Sequence, residues 1–226
     1  MKLHREGFPL LVLASLLWGL LWAVTTQHVQ CNIFRLGGGT VLGCLALFFR
    51  VPKQHSSDAP HTVIVAPASG TVVAVDNLFE SEYLLKETIR VSIFLSIFNV
   101  HMNAAPISGI IRYRAYHPGG HIPAFRSGAS LSNEHSTLVI ETTSGASILV
   151  RQIAGILARR ISTYPVVESN VTRSEEIGFI KFGSRVDVFL PADAQILVQI
   201  GDRVCVGVTA IADIRAILLD GVQAND

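Results

Sequence analysis

The chain has 226 residues, with 18 Lys+Arg against 17 Asp+Glu, giving a formal charge of +1. That balance offers no electrostatic footprint for nucleic acid, and the length leaves room for one sizeable domain or a domain with an appendage. Hydrophobic residues make up 50% and charged residues 15%, an apolar excess for a soluble protein.

The excess sits near the N-terminus. Residues 8–24, FPLLVLASLLWGLLWAV, carry no charge, and a second apolar run, LGGGTVLGCLALFF (36–49), follows the polar patch TTQHVQCN. The first run, about 17 residues, is at the lower end of what spans a bilayer, and the second is shorter. Lys2 and Arg5 precede the pair; Arg50 and Lys53 follow it. Cations at both outer ends favour a hairpin with both termini cytoplasmic. Trp18 and Trp22 are placed to anchor it at the interface. No A-x-A cleavage site follows residue 24, which argues against a signal peptide. Residues 1–50 are therefore expected to be a membrane-anchoring helical hairpin.

Residues 51–61, polar and broken by Pro52 and Pro60, read as a linker. From residue 62 to 226 the pattern is short β-branched runs punctuated by Gly, Pro, Asn and Asp. Strands are predicted at 62–66, 70–75, 89–98, 107–116, 136–142, 147–153, 178–182, 186–190, 195–199 and 204–211. A helix is expected at about 80–87, and ILVRQIAGILARRI (148–161) fits neither period. The fold class is mainly β with some helix (α+β).

APASGTVVAVD (66–76) and VQIGDRVCVGVTAIADI (198–214) resemble the two halves of a biotinyl/lipoyl-type barrel-sandwich, with the intervening residues as an insertion. Cys31, Cys44 and Cys205 are isolated, suggesting neither a disulfide framework nor a zinc site and matching a reducing compartment. His117 and His121 have the spacing of a helical metal pair, but HPGGH cannot hold a helix; no metal ligand set is expected. His135 reads as a surface residue in a polar turn. Arg185 and Asp187, two apart on one strand, share a face and are expected to pair.

GFIKFGSRVDVFLP (178–191) places Gly183-Ser184 between two apolar strand-like runs. With FFRVP, APASGTVVAVD, RVSIFLSIFNVHMNAAPISG, YHPGG, SNEHSTLVIET and VRQIAGILARRI in this order, it resembles the phosphatidylserine decarboxylase family in its short membrane-associated bacterial form. The resemblance spans about residues 1–214. It implies a proenzyme that cuts itself at Gly183–Ser184 by serinolysis, giving chains 1–183 and 184–226 that stay together non-covalently. Ser184 would become a pyruvoyl cofactor that forms a Schiff base with phosphatidylserine, releasing CO2 and leaving phosphatidylethanolamine on the cytoplasmic side of the cell membrane. Ser184 and His101 are the catalytic residues under this reading. His101 is the proton-transfer group, its ordinary pKa suiting acid/base work near neutrality. Asn103 and Pro106 match the family's pattern without an assigned role.

Two positions depart from that pattern. Ser69 stands in the APASG turn where the family carries Asp, part of an Asp-His-Ser arrangement, and Val51 stands where Asp is usual. Glu134 and Asp76 are the substitutes to consider. A competing reading follows from Ser69: an unprocessed homologue that binds lipid headgroups or a partner without chemistry. A lipoyl-like carrier ranks last, because Lys181 is not in a G-D-x-V half.

Overall fold

The computed structural model describes residues 2–24, 31–51, 60–124, 129–155, 161–181 and 183–215. They divide into two units, with the boundary between residues 53 and 54. Most of the expected linker, residues 52–59, lies outside the described residues.

The first unit begins with strand β1 (Lys2–Leu3) and a 3-10 turn, Arg5–Gly7. Helices α1 (Phe8–Val24) and α2 (Cys31–Phe48) follow, then strand β2 (Arg50–Val51), which pairs antiparallel with β1. No residue of α1 is buried. A helix apolar on every side is of the kind found in the core of a large protein or in a membrane span. The helical run Arg5–Val24 is long and apolar enough to cross one, whereas the second apolar stretch, Arg35–Phe48, is shorter. The helices touch through small residues. The Trp18 indole N–H donates to the Arg35 carbonyl at 3.0 Å, and a Cβ on Gly38 would meet the Trp18 ring at 2.5 Å. Trp18 thus packs between the helices rather than acting as an interfacial anchor. Trp22 lies 4.3 Å beneath the Arg35 guanidinium.

The second unit is mainly β. Its elements are β3 (Val63–Val65), β4 (Gly70–Glu80), β5 (Lys86–Leu95), β6 (Met102–Ala104), β7 (Gly109–His117), the short helix α3 (Ala129–Ser132), β8 (His135–Glu141), β9 (Ser147–Ala154), β10 (Ile161–Thr163), β11 (Asn170–Val171), β12 (Glu176–Ile180), β13 (Ser184–Pro191), β14 (Gln195–Ile196), β15 (Arg203–Val204) and β16 (Ala210–Asp213). An eight-stranded sheet runs β11-β7-β8-β9-β13-β5-β4-β15, and two three-stranded sheets run β10-β12-β6 and β14-β16-β3.

The two segments read as barrel-sandwich halves do pair. Arg203 and Val204 face Thr71 and Gly70, β16 lies against β3, and the Gly207 N–H donates to the Ala66 carbonyl at 2.8 Å. Strand β13, in the C-terminal part of the chain, lies between β9 and β5.

Alternation along the strands separates two faces. Val186, Val188 and Leu190 of β13, Ile148 and Val150 of β9, and Leu138 and Ile140 of β8 point into the main core with Val91, Ile93 and Leu95. Burying each such side chain stabilises the fold by about 1.5–3 kcal/mol. The opposite face carries a smaller cluster, Val139, Leu149 and Phe189 with Tyr83 and Tyr113 packed on it. Beside that cluster lies a polar network. Arg185 and Asp187 form the ion pair expected from their spacing, with Ser92 accepting from Arg185 and Ser130 donating to Asp187.

The helix expected at 80–87 does not form. Glu80 turns its carboxylate back to accept from the backbone N–H groups of Glu82, Tyr83 and Leu84. Leu85 then takes a φ of +50°, which ends the turn and starts β5 at Lys86. The ambiguous stretch 148–161 is strand through Ala154; residues 156–160 lie outside the described residues.

Candidate active site

Ser184 is the first residue of β13, wholly buried, with Leu95 opposite it on one side and Ala154 on the other. Among the described residues its Oγ has no hydrogen-bond partner. Leaving a buried hydroxyl unpaired costs about 1–3 kcal/mol, so the arrangement needs a reason.

Gly183 supplies part of it. Its φ of +67° lies in the left-handed region, where glycine alone is unstrained. The Gly183 N–H donates to His101 Nε2 at 3.2 Å. His101 Nδ1 lies 2.9 Å from the Asn99 carbonyl. A carbonyl only accepts, so Nδ1 carries the proton and Nε2 presents a lone pair; the hydrogen-bond network assigns this tautomer. The ring is fully buried and packs 6.4 Å, centroid to centroid, from Phe179. A basic imidazole nitrogen is thereby held on the Gly183 amide, one residue before the Gly183–Ser184 peptide.

Sequence reasoning missed a second glycine. Gly155 follows the last residue of β9, and a Cβ there would stand 2.5 Å from the Gly183 carbonyl oxygen and 3.3 Å from its carbon. No φ in the left-handed region is involved; the requirement is space. The signal in the sequence was only a glycine inside an apolar stretch.

Asn103 is likewise buried. Its Oδ1 accepts from Gln152 Nε2 at 2.7 Å, while its own Nδ2 has no partner among the described residues. It lies two residues from His101, and Gln152 lies two residues before Ala154, the neighbour of Ser184. The Pro106 carbonyl accepts from the Val65 N–H at 2.9 Å, a structural contact.

Ser69 Oγ accepts from the Val206 N–H at 3.0 Å, closing the junction between the barrel-sandwich halves. The Asn99 carbonyl therefore orients the His101 ring at Nδ1, fixing its tautomer without adding negative charge. The substitute carboxylates serve elsewhere. Asp76 pairs with Arg90 at 2.6 Å, five residues along β5 from the neighbour of Ser184. Glu134 is buried and hydrogen-bonds Tyr116; after burial itself, its charge and that hydrogen bond push the Tyr116 phenol up.

The histidines set aside from the sequence divide. His121 is exposed. His135 is not a surface turn residue but opens β8, half-buried and stacked on His117 with centroids 4.6 Å apart. A cleft of about 790 Å³ lined by His61, Arg112, Glu141 and Asn170 lies at the far end of β7 and β8 from this chemistry.

Residues 42–212 match the family model described as phosphatidylserine decarboxylase. The chain is 41% identical over 221 residues to the phosphatidylserine decarboxylase proenzyme of Amoebophilus asiaticus, covering 96% of this chain and 98% of that one. It is 39% identical over 220 residues to the proenzyme of the same name from Cytophaga hutchinsonii, covering 94% and 99%. The corresponding protein of Syntrophotalea carbinolica is 42% identical over 214 residues, covering 93% and 95%.

Proposed function

Because the chain belongs to the phosphatidylserine decarboxylase family, we propose that it is a proenzyme that cuts itself at Gly183–Ser184 and then decarboxylates phosphatidylserine to phosphatidylethanolamine. One observation carries this reading. A buried Ser184 hydroxyl, unpartnered among the described residues, follows a left-handed Gly183 whose amide is held by the basic nitrogen of His101.

The residues fit a self-made carbonyl group at position 184. His101 Nε2 exchanges the Gly183 N–H for the Ser184 hydroxyl and takes its proton as Oγ attacks the Gly183 carbonyl carbon. The bond from Oγ to that carbon forms, the peptide C–N bond breaks, and the proton passes to the released Ser184 nitrogen. The ester then loses the Ser184 Cα proton and the Gly183 carboxylate by β-elimination. Hydrolysis of the resulting dehydroalanine releases ammonia and leaves a pyruvoyl group. That group supplies the electron sink for decarboxylation of the substrate amine, as pyridoxal phosphate does elsewhere.

The other residues position and protonate. Gly155 keeps the wall beside the scissile carbonyl free of a side chain. His101, still beside position 184, returns a proton to the product carbon. Asn103 Nδ2 is a donor available to a substrate oxygen. Chains 1–183 and 184–226 stay joined, since β13 is central in its sheet and β15 and β16 complete pairings with β4 and β3.

We assign residues 1–50 to membrane anchoring and 62–226 to catalysis, with the active site on the cytoplasmic side. The helical run Arg5–Val24, with Lys2 and Arg5 at its N-terminal end, supports anchoring. Ile97 and Phe98, exposed in the turn just before His101, give the site an apolar approach suited to a lipid interface. The non-catalytic alternative is not favoured, because Ser69 is occupied with Val206 while His101 keeps its orienting partner.

The test is conversion of phosphatidylserine to phosphatidylethanolamine by the purified full-length protein in detergent. Release of CO2 that is abolished by Ser184→Ala supports the reading; turnover retained by that variant overturns it.

A further inference from the structure

The geometry points to a divalent transition-metal site of the zinc class, made by Glu82, His117 and His135 on the sheet face opposite Ser184. The sequence pairs His117 with His121, which Pro118 and two glycines prevent; the fold pairs it with His135 instead. The β7–β8 register sets His117 directly opposite His135, and the turn after β4 brings Glu82 over both. One ligand atom from each of the three lies within 4.8 Å of the others. His135 also faces Ile153, which faces Arg185. Ser184 is the next residue along β13 and points to the other face.

The surroundings are those of a ligand set held in place. His135 Nδ1 lies 2.7 Å from the Asn133 carbonyl, so it carries the proton and leaves Nε2 as the ligating nitrogen. Glu82 Oε2 accepts from Thr137 Oγ1 at 2.9 Å and from Arg151 at 2.7 Å, which directs Oε1 to His117 Nε2 at 2.7 Å. Arg151 is also paired with Glu80 at 3.0 Å. Two carboxylates against one guanidinium leave one negative charge beside two imidazoles, an environment that favours a dication.

Two nitrogens and one carboxylate oxygen with an open fourth position suit zinc, cobalt or nickel rather than magnesium or calcium. Bonds of about 2.0–2.1 Å at tetrahedral angles set ligand atoms roughly 3.3 Å apart. The Glu82–His117 contact must therefore open by about 0.6 Å and the widest pair close by at most about 1.5 Å, within reach of side-chain rotation. On binding, His117 moves its ring proton from Nε2 to Nδ1. The ion then ties the 81–84 turn to the ends of β7 and β8.

The probe is Co2+, titrated into the full-length protein in detergent after dialysis against a chelator. The expected result is a visible absorption of a tetrahedral site that saturates at one equivalent, is displaced by Zn2+, and comes with a melting temperature a few degrees higher. His117→Gln keeps a hydrogen-bonding group toward Glu82. It should retain the parental circular dichroism and bind at least about tenfold more weakly. No tetrahedral absorption at one equivalent, or one unchanged in His117→Gln, overturns the site. If His117→Gln fails to fold, Glu82→Gln in the same titration decides, with the same loss expected. The binding readout holds whether or not the chain cuts itself, so failure of the proposed function would not be mistaken for failure of the site.

Discussion

Gly155→Ala is the sharpest perturbation of the cleavage site, because it adds one methyl group and removes no group with a chemical role. The new Cβ would stand 2.5 Å from the Gly183 carbonyl oxygen, where real Cβ contacts essentially never fall below 3.0 Å. The oxygen belongs to the backbone, so the scissile carbonyl itself, or β9, must move by at least about 0.5 Å. A misplacement of 1 Å at a reacting group costs about a hundredfold in rate; half of that displacement gives roughly tenfold, or about 1.4 kcal/mol of barrier. Overpacking adds about 1–3 kcal/mol of lost stability. The assay follows appearance of the smaller chain on denaturing gels after synthesis, beside thermal melts of the same samples. Slowed cleavage by tenfold or more in a folded variant is expected. Cleavage at the parental rate would refute the claim that Gly155 makes room for the scissile carbonyl.

Three further outcomes are expected. Ser184→Ala blocks cleavage and melts at or above the temperature of the uncleaved parental precursor, because among the described residues the hydroxyl it removes is buried and unpaired; a drop of several degrees below that precursor would show that Oγ has a structural partner. Arg185→Leu leaves Asp187 as a buried uncompensated charge and costs about 3–5 kcal/mol in denaturant unfolding, whereas a loss under about 1 kcal/mol would make the pair incidental. The Arg215 guanidinium holds the Asp213 carboxyl below its ordinary range, despite the opposing effect of burial. A lowered folded pKa means that this stability is complete above the unfolded carboxylate value of about 4 and lost as pH falls through the folded one. Melts between pH 6 and pH 3 should therefore fall less steeply for Asp213→Asn; equal slopes would remove Asp213 from the acid response.

Most longer strands were legible because β-branched alternation and Gly/Pro punctuation operate over neighbouring residues, but the strand expected at 204–211 is two, β15 and β16, separated by a turn, and the short β6, β10 and β11 were not foreseen. Ser184 and His101 were singled out through motif resemblance, and in the fold the His101 ring accepts from the Gly183 N–H, one residue before the bond that the resemblance marks. The helix expected at 80–87 stops after a single turn capped by the Glu80 carboxylate, because Leu85 takes a left-handed φ of +50° and the chain enters β5 at Lys86. His135 read as a surface residue because its neighbour, His117, is 18 positions away and reached only through the β7–β8 register. Gly155 was invisible for a related reason: what it avoids is a carbonyl 28 residues further along the chain. Ser69 looked like a lost carboxylate in sequence, whereas in the fold it caps Val206 and a backbone carbonyl holds the imidazole.

The measurement that bears most directly on self-cleavage is the intact mass of the purified protein under denaturing conditions. Two fragments dividing between Gly183 and Ser184, the smaller with an N-terminus blocked to Edman degradation, are expected. A single chain of 24.5 kDa would contradict it.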